Sequence, residues 1–309
     1  MLTKHWGSTL IGKVDLVMWT KNGAETLPLV LKRISDVIPN EFVNKRIIVD
    51  DRSTDDTREI AKSAGWDVVL NEGKGISDGA NTALKHVTSE HFISFEQDIL
   101  LAPEWWQKVP KHLSDPKVAV ASGLRLSNQP IALRKIQEYA LERFQGRERD
   151  IGPFPSGRTL DNTIYKTRVI RQIRGFPKLS ISAGIDNILA LQIHRNQLEW
   201  KVDYTVKSTH LRMGLRDELA HYYWYGTCSD MLEHLLSKRN VAMRPMILRL
   251  FFSPLRGLHI GIKKKAPQAV YIYPLIRFVG LKGMFDGRKR KSHAPLFKAP
   301  LMNENRISG

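Results

Sequence analysis

Short runs of apolar, β-branched residues alternate with helical patterns over the first 125 residues. Residues 14–19, 46–50, 68–70, 92–95 and 118–122 have the composition of buried strands. Between them, apolar residues spaced i, i+3, i+4 predict helices over residues 27–37, 55–64 and 76–87. Strands and helices in alternation predict an α/β unit with an open, mostly parallel sheet covered on both faces.

The pattern is less regular after residue 125. Residues 145–160 (QGRERDIGPFPSGRTL) mix glycine, proline and charge without periodicity, which predicts a loop that could fold over a substrate. A helix is expected over residues 229–238, and the residues from Arg290 onward are expected to lack structure. A chain of 309 residues has room for one large core and an appendage.

Positive charge is concentrated at the end of the chain. Of a net charge of +17, most comes from residues 241–309, which hold 14 Lys and Arg residues against two acidic ones. We therefore expect a catalytic domain over residues 1–227 and a basic, amphipathic helical extension over residues 228–309. No helix-turn-helix pattern, zinc-ligand spacing or RNP-type motif accompanies this charge, so we expect no nucleic-acid partner.

The extension holds two apolar stretches punctuated by single cations, residues 243–262 and 269–285. Arg249 and Arg256 are seven positions apart and would share one helix face, which is typical of segments that lie in an anionic membrane surface. The alternative is a helical subdomain packed on the catalytic core. With no signal-peptide pattern and no apolar run of about 20 residues, we expect a cytoplasmic protein, peripheral at the inner face of the cell membrane.

Polar side chains cluster where three of the predicted strands end. Thr20 follows the first strand, Asp50 and Asp51 the second, and Glu96 and Asp98 the fourth. Ligands of open α/β sheets bind beyond the carboxyl ends of the strands, so these residues predict a binding site. Glu96 and Asp98, two positions apart, could offer oxygen ligands to a divalent cation that neutralises a diphosphate.

The segment VDDRSTDDT (residues 49–57) ends a strand and opens a helix. A capping box, with Ser53 as the cap and Asp56 in the first turn, would account for its later polar residues. It does not account for Asp50 and Asp51, because adjacent carboxylates at a buried strand end repel unless basic or hydrogen-bond-donating groups satisfy them. That pair is therefore a candidate for function.

Six segments in order make the chain resemble the family 2 glycosyltransferases, which have the GT-A fold, a single Rossmann-like nucleotide-binding domain. The segments are WTKNGAETLPLVLKRI (19–34), VDDRSTDDT (49–57), GKGISDGANTAL (73–84), FEQDILL (95–101), YKTRVIRQIRGFP (165–177) and GIDNILALQIHRNQLEWKV (184–202). The resemblance covers residues 14–227 and implies a nucleotide-sugar donor, a UDP- or GDP-sugar, with Mg2+ or Mn2+ as the cofactor.

The resemblance also assigns roles to individual residues. The nucleotide would be bound by Thr20, Asn22, Asp50, Asp51 and Lys74; Lys74 lies between two glycines, but the spacing is not that of a P-loop. Asp98 would be the metal ligand of the family's DxD motif, with Glu96 in place of its first Asp and His210 assisting. The segment YYWYG (222–226) matches an acceptor-site motif, which puts Tyr223 and Trp224 on the acceptor side.

Asp186 matches the family's catalytic base, although Ile185 stands where a Glu usually precedes it. Three of these residues have simpler alternatives: Asp186 as an acid that favours a helix N-terminus, His210 as a polar strand end, and Trp224 as core packing.

The expected activity is that of an inverting hexosyltransferase acting on a hydroxyl of a lipid-linked saccharide or polysaccharide. A polyprenyl-phosphate glycosyltransferase and a non-catalytic nucleotide-sugar-binding protein are the alternatives. A sugar-phosphate nucleotidyltransferase would need a glycine-rich loop after the first strand, which WTKNGAE is not.

Overall fold

The computed structural model describes residues 11–142, 157–178, 184–211, 214–235 and 243–291; for 228–235, 243–246 and 290–291 only the backbone is described. Within these residues, eight strands form one sheet. Their bounds are β1 Val14–Thr20, β2 Val43–Asp50, β3 Asp67–Leu70, β4 His91–Glu96, β5 Ile99–Leu100, β6 Val118–Ser127, β7 Thr163–Lys166 and β8 Glu199–His210.

Eleven α-helices are found in the same described ranges. Their bounds are α1 Leu27–Val37, α2 Thr57–Ser63, α3 Gly75–His86, α4 Trp105–Lys108, α5 Ile131–Glu142, α6 Thr167–Gln172, α7 Ile185–Arg195, α8 Leu215–Leu235, α9 Met243–Phe251, α10 Ser253–Lys264 and α11 Ala269–Lys291.

The sheet has the strand order β3-β2-β1-β4-β7-β6-β8-β5. Strands β1 to β4 pair in parallel, β7 lies antiparallel between β4 and β6, β8 runs parallel to β6, and β5 is antiparallel to β8. Strands β1, β2, β4, β6 and β8 therefore all end at the same edge. The predicted α/β class with a mostly parallel sheet is confirmed.

The sheet is covered on both faces. Successive residues of β1 alternate between two apolar clusters: Leu16 and Met18 join one, and Val17 and Trp19 join the other. Helix α1 packs into the first cluster, and α3 and α7 pack into the second. Because both faces of each central strand are buried, the strands are nearly continuous apolar runs, as the sequence indicated.

The C-terminal helices form a third cluster with α5. Leu133 and Ile136 of α5 contact Ile260 of α10 and Ile272 and Ile276 of α11. Helices α10 and α11 therefore pack on α5, which follows β6 of the sheet, as well as on each other.

Helix α8 crosses the predicted domain boundary. The helix expected over residues 229–238 is the second half of α8, which already begins at Leu215; residues 236–238 lie outside the described ranges. Helix α8 lies against α11, and their backbones approach closely: a Cβ on Gly226 would come within 2.2 Å of the Gly280 carbonyl oxygen. The division at residue 227 stays a prediction, and one continuous helix runs across it.

Two expectations fall largely on residues outside the described ranges. These are the loop at 145–160, apart from its last four residues, and the tail from Arg290, apart from the end of α11. Among the described helices, none combines the length and the apolar composition needed to cross a bilayer.

Candidate active site

The pairing of the two-residue strand β5 with the end of β8 brings together residues that are far apart in sequence. Strand β4 ends at Glu96, the chain turns at Asp98, and β5 pairs with the end of β8, so that Ile99 lies opposite His210. The Leu211 amide donates a hydrogen bond to the Asp98 carbonyl oxygen at 2.8 Å. As a result the His210 Nε2 lies 3.0 Å from the Asp98 Oδ2.

Glu96, Asp98 and His210 form a group that could hold a metal ion. One ligand atom from each lies within 4.8 Å of the other two. Two carboxylates suit Mg2+ or Mn2+, and the imidazole favours a transition metal such as Mn2+. The donor set therefore fits the divalent cation that the sequence predicted, and the structure brings the three predicted ligands together.

Arg125 anchors this group from β6. Its guanidinium Nη1 lies 2.8 Å from the Asp161 Oδ2 and 3.7 Å from the Glu96 Oε2. Burial lowers the pKa of Arg125, but the nearby charges together more than offset this, that of the fully buried Asp161 most, followed by those of Tyr225, Glu96 and Asp98. The pKa of Arg125 therefore lies well above its usual value. Arg125 could not be recognised as a site residue from the sequence, because a lone arginine inside a strand carries no local signal.

Asp186 lies in the first turn of α7, where the Asn187 amide donates to its Oδ1 at 2.8 Å. Desolvation raises the pKa of Asp186 to about 6; the Asn187 hydrogen bond and the charge of Arg125 lower it, but by less. Asp186 is therefore both an acid at a helix N-terminus and a candidate site residue, and the two interpretations do not exclude each other. A carboxylate with a pKa near 6 is suited to accept a proton.

Two adjoining cavities meet at Asp186. The smaller, about 130 Å³, is lined by the metal-ligand group, Arg125, Asp161 and Trp224, among others. The larger, about 490 Å³, shares Arg125, Asp186 and His210 with it and extends between α5, α8 and α11. The helices of the extension thus form one wall of a space that opens onto the candidate base.

The two acids that end β2 are satisfied within the protein. Asp50, which is 1% exposed, accepts hydrogen bonds from the Ser53 amide at 2.9 Å and from the Ser53 hydroxyl, and the Thr20 hydroxyl lies 3.4 Å away. Asp51 accepts from the Gly75 amide at 2.9 Å and pairs with Arg52 at 3.2 Å. These donors offset the repulsion between the two carboxylates.

The predicted capping box is wrong. Helix α2 begins at Thr57 after Asp56, which makes no side-chain capping bond, and the Ser53 hydroxyl donates to Asp50 instead. Asp55, one of the later polar residues that capping was expected to explain, accepts from the Ala24 amide at 3.0 Å and so ties the β1 loop to the β2 loop. It also accepts from the amide of Thr57, the first residue of α2, at 3.2 Å. The polar residues here therefore fasten two strand-end loops together, and Asp55 also supports the start of the helix.

Asn22 lies in the β1 loop, and Lys74 lies in the loop between β3 and α3, which is joined to the β2 loop by hydrogen bonds from Arg52 to the Gly73 carbonyl oxygen and from the Gly75 amide to Asp51. Asn22 has a φ of 49° and accepts a hydrogen bond from the Thr54 amide at 2.8 Å. Lys74 precedes α3, and its amide donates to Asp78 at 2.9 Å. The structure therefore groups the five predicted nucleotide-binding residues around the ends of β1, β2 and β3, which are neighbouring parallel strands.

The sequence profile of Glycosyl transferase family 2 matches residues 15–174, which is more than half of the chain. The chain belongs to this family. A search of curated proteins finds no significant match.

Solved structures of low sequence identity share the fold of this family 2 glycosyltransferase. The mannosyltransferase PcManGT from Pyrobaculum calidifontis, solved with GDP-Man and Mn2+, aligns with a TM-score of 0.59 at 18% identity over 93% of this chain and 77% of its own. Glucosyl-3-phosphoglycerate synthase from Mycobacterium tuberculosis, solved with Mn2+, UDP and phosphoglyceric acid, aligns at 0.52 and 15% over 73% of this chain and 77% of its own. At these identities the likeness shows the GT-A fold alone.

The residue before the candidate base departs from the usual family 2 pattern. Ile185 is 1% exposed and packs in the second apolar cluster with Leu189. A carboxylate at this position would have to lie in that apolar core. The residues directly before and after Asp186 in the sequence, Ile185 and Asn187, carry no charge.

The aromatic segment of this family 2 enzyme divides between the cavity and the helix contact. Trp224 lines the smaller cavity. Tyr223 faces α11 instead, where its hydroxyl donates to the Asp286 Oδ2 at 2.8 Å and Lys282 lies over its ring. Tyr225, which the sequence analysis did not select, lines both cavities, and burial raises its pKa to about 12. The helical period of α8 would have indicated that neighbouring residues face different ways.

Proposed function

We propose that this family 2 enzyme is an inverting, metal-dependent hexosyltransferase. It transfers a sugar from a nucleoside-diphosphate sugar to a hydroxyl of a lipid-linked saccharide or polysaccharide at the cytoplasmic membrane face. The observation that carries the proposal is the convergence of the Glu96, Asp98 and His210 ligand atoms with Asp186, whose pKa is about 6, on one pair of adjoining cavities.

In the proposed reaction, Asp186 accepts the proton of the acceptor hydroxyl. The oxygen of that hydroxyl attacks the anomeric carbon of the donor sugar. The bond from that carbon to the diphosphate oxygen breaks, the nucleoside diphosphate leaves, and the anomeric centre inverts. Arg125 keeps Glu96 in place and its charge favours the ionised form of Asp186. A divalent cation held by the ligand group supplies the positive charge that stabilises the leaving diphosphate.

The loops at the ends of β1, β2 and β3 are the proposed nucleoside subsite. Asp50 holds the turn at Ser53 rather than contacting the nucleoside, because its oxygens already have partners and it is almost fully buried. Asn22, Asp51 and Lys74 are the proposed contacts. The structural neighbours that hold GDP-Man and UDP support donors of these two classes.

The larger cavity is the proposed acceptor site, with Tyr225 and Trp224 near its junction with the smaller one. A hydroxyl acceptor uses Asp186 as its base. Arg158 and Arg277, which also line this cavity, favour a second candidate, a polyprenyl-phosphate acceptor. A phosphate is already ionised near neutral pH and needs no base, so Asp186→Asn distinguishes the two.

Donor class is tested by thermal unfolding with GDP or UDP, each with and without Mn2+. A nucleotide at about 100 times its Kd stabilises the folded state by about 2.7 kcal/mol, which raises the melting temperature by about 5 °C. We expect this shift for one nucleotide, only with Mn2+, and expect its loss in Asp98→Ala. A shift that survives in Asp98→Ala would overturn the metal assignment.

Turnover is tested by nucleotide release from GDP-mannose and UDP-glucose in the presence of extracted membrane lipids. Asp186→Asn is expected to lose about 10²- to 10⁴-fold in kcat while its Mn2+-dependent thermal shift remains. Asp36→Asn, an exposed acid paired with Lys32 on α1, is the matched control and keeps full activity. Full activity in Asp186→Asn would favour the phosphate acceptor, and absence of turnover in wild type the non-catalytic alternative.

A further inference from the structure

Helices α9 and α10 present a row of large apolar side chains to solvent. We call these residues the outer apolar face; their exposed fractions range from 48% to 76%. They are Ile247, Leu248, Phe251, Phe252, Leu255, Leu258 and Ile262. They account for half of the exposed large apolar side chains in the described part of the chain, although they span only 16 residues. Seven large exposed apolar side chains within so short a stretch of a folded protein point to an interaction site.

The geometry of α10 sets this face opposite the protein core. Gly257 lies against α11 so closely that a Cβ there would come within 2.4 Å of the Ala269 carbonyl oxygen, and Ile260 is buried beside it. Leu255, Leu258 and Ile262 follow the spacing i, i+3, i+7 on the opposite side. Folding of the chain therefore leaves them uncovered among the described residues, while the inner side of the helix is fully packed.

Positive charge flanks the outer apolar face, and negative charge does not. Residues 243–265 hold six Lys and Arg residues and no Asp or Glu. Arg249, Lys263 and Lys265 are exposed, and Arg256 and Lys263 lie 5.0 and 5.4 Å from the centre of the Tyr139 ring on α5. The cations on α10 are therefore held beside the apolar row by contact with the catalytic part of the chain.

We infer that the outer apolar face docks into the interfacial region of a membrane that contains anionic phospholipids. Leucine, isoleucine and phenylalanine side chains enter the headgroup and acyl boundary, and the flanking cations meet lipid phosphates. The inference rests on the proposed function only for its membrane setting, since docking requires neither donor nor metal. A second copy of this chain is a poorer occupant, because two such faces would bring like charges together.

The test is flotation of the full chain with vesicles, in the absence of nucleotide. Vesicles of phosphatidylglycerol and phosphatidylcholine in equal parts are compared with phosphatidylcholine alone. The key variant is Leu258→Gln/Ile262→Gln, and the matched control is Leu29→Gln/Leu70→Gln, which removes two similarly exposed apolar side chains from the catalytic domain. All four residues are exposed, so melting temperatures are expected to stay at the wild-type value.

Wild type and the control are expected to float with the anionic vesicles and to bind neutral vesicles at least tenfold more weakly. The key variant is expected to lose at least tenfold in affinity for the anionic vesicles, since each leucine or isoleucine that stays in water forfeits about a tenfold gain. Binding by the key variant equal to that of wild type, or no flotation of wild type, would overturn the proposal. So would a wild-type dimer in sedimentation that the key variant converts to a monomer.

Because flotation uses no donor, its failure leaves the proposed sugar transfer standing. Failure of the thermal-shift test with Mn2+ and nucleotide would equally leave the docking surface standing. The two proposals are therefore separable by experiment.

Discussion

The surroundings of Asp186 influence its protonation in two opposite directions. The packing around it favours the neutral acid, whereas Arg125 and the Asn187 amide favour the carboxylate, and the balance leaves its pKa at about 6. A base with this pKa is ionised at neutral pH yet keeps more affinity for a proton than an exposed aspartate.

The pKa of Asp186 predicts the acid limb of the pH profile. Below pH 6 the residue is protonated and cannot accept the acceptor proton, so kcat/KM is expected to fall about tenfold per pH unit below that point. The measurement is kcat/KM between pH 4.5 and 8. A profile that stays flat down to about pH 5, as expected for a base with the ordinary aspartate pKa of 3.8, would contradict the assignment of Asp186 as the base.

The same shift has a consequence for stability. The pKa of Asp186 in the folded protein lies above its value of 3.8 in the unfolded chain, so the folded state binds the proton more tightly. This contribution is fully present below about pH 4 and is lost as the pH rises towards 6. Asp186→Asn is expected to remove that part of the pH dependence.

Arg125 makes a second residue-level prediction. Arg125→Gln leaves Asp161 buried without its cation, which is expected to lower the free energy of unfolding by about 3 kcal/mol. It also removes a charge that lowers the pKa of Asp186, so the acid limb of kcat/KM should move to higher pH. Chemical denaturation and the pH profile measure the two effects.

The double variant Arg125→Met/Asp161→Asn is the control for this prediction. Removing both charges leaves no buried ion alone, so most of the lost stability is expected to return. If the double variant is as unstable as Arg125→Gln, the ion pair is not the cause of the loss.

At the scale of elements, sequence periodicity predicted the helices and strands whose pattern lies within one continuous segment. The spacing of Leu27, Val30, Leu31 and Ile34 gave the bounds of α1, residues 27–37, which the structure reproduces. Strand β5 was not predictable, because two residues carry no period and its partner β8 lies far along the chain. The first part of α8, residues 215–228, was not predicted, because the aromatic residues at 222–225 do not form a single apolar stripe.

The close contact between α8 and α11 predicts the effect of glycine substitutions. A Cβ at Gly283 would come within 2.2 Å of the Tyr223 carbonyl oxygen, so Gly283→Val must push the helices apart. We expect a loss of about 2 to 3 kcal/mol in the free energy of unfolding, measured by chemical denaturation.

Gly280 on the same helix is the matched control. A Cβ there meets its nearest atom, the Tyr222 carbonyl oxygen, at 3.8 Å, which is an ordinary contact. Gly280→Ala is expected to be neutral or slightly stabilising, by up to about 1 kcal/mol, since alanine favours a helix. Equal losses from both substitutions would show that close packing is not what matters here.

At the scale of the whole molecule, the extension is both a wall of the larger cavity and part of the third apolar cluster. A chain ended at residue 227 would cut α8 and uncover Leu133 and Ile136 of α5. We expect it to be poorly soluble and to melt at a lower temperature than a chain ended at residue 291, which keeps every described helix. A melting temperature equal to that of the longer chain would support an independent domain over residues 1–227.

The site residues that lie at the ends of strands could be predicted from the sequence. The parts of the site that form by side-chain packing between distant segments could not. Glu96, Asp98 and His210 were selected from the sequence, and the structure brings them together. The partners of Arg125 and the cavity between α5, α8 and α11 depend on side-chain packing between distant segments, for which the sequence has no local signal.

Strand β5, with only two residues, has little stability of its own. Asp98 and His210 meet because β5 lies against the end of β8, and the Leu211 amide closes that contact on the Asp98 carbonyl oxygen. A ligand that binds both side chains makes local opening of the contact between β5 and β8 less favourable, and so protects the Leu211 amide from exchange. Deuterium uptake at Leu211 should therefore slow when the site is filled, and would report its occupancy without turnover of any substrate.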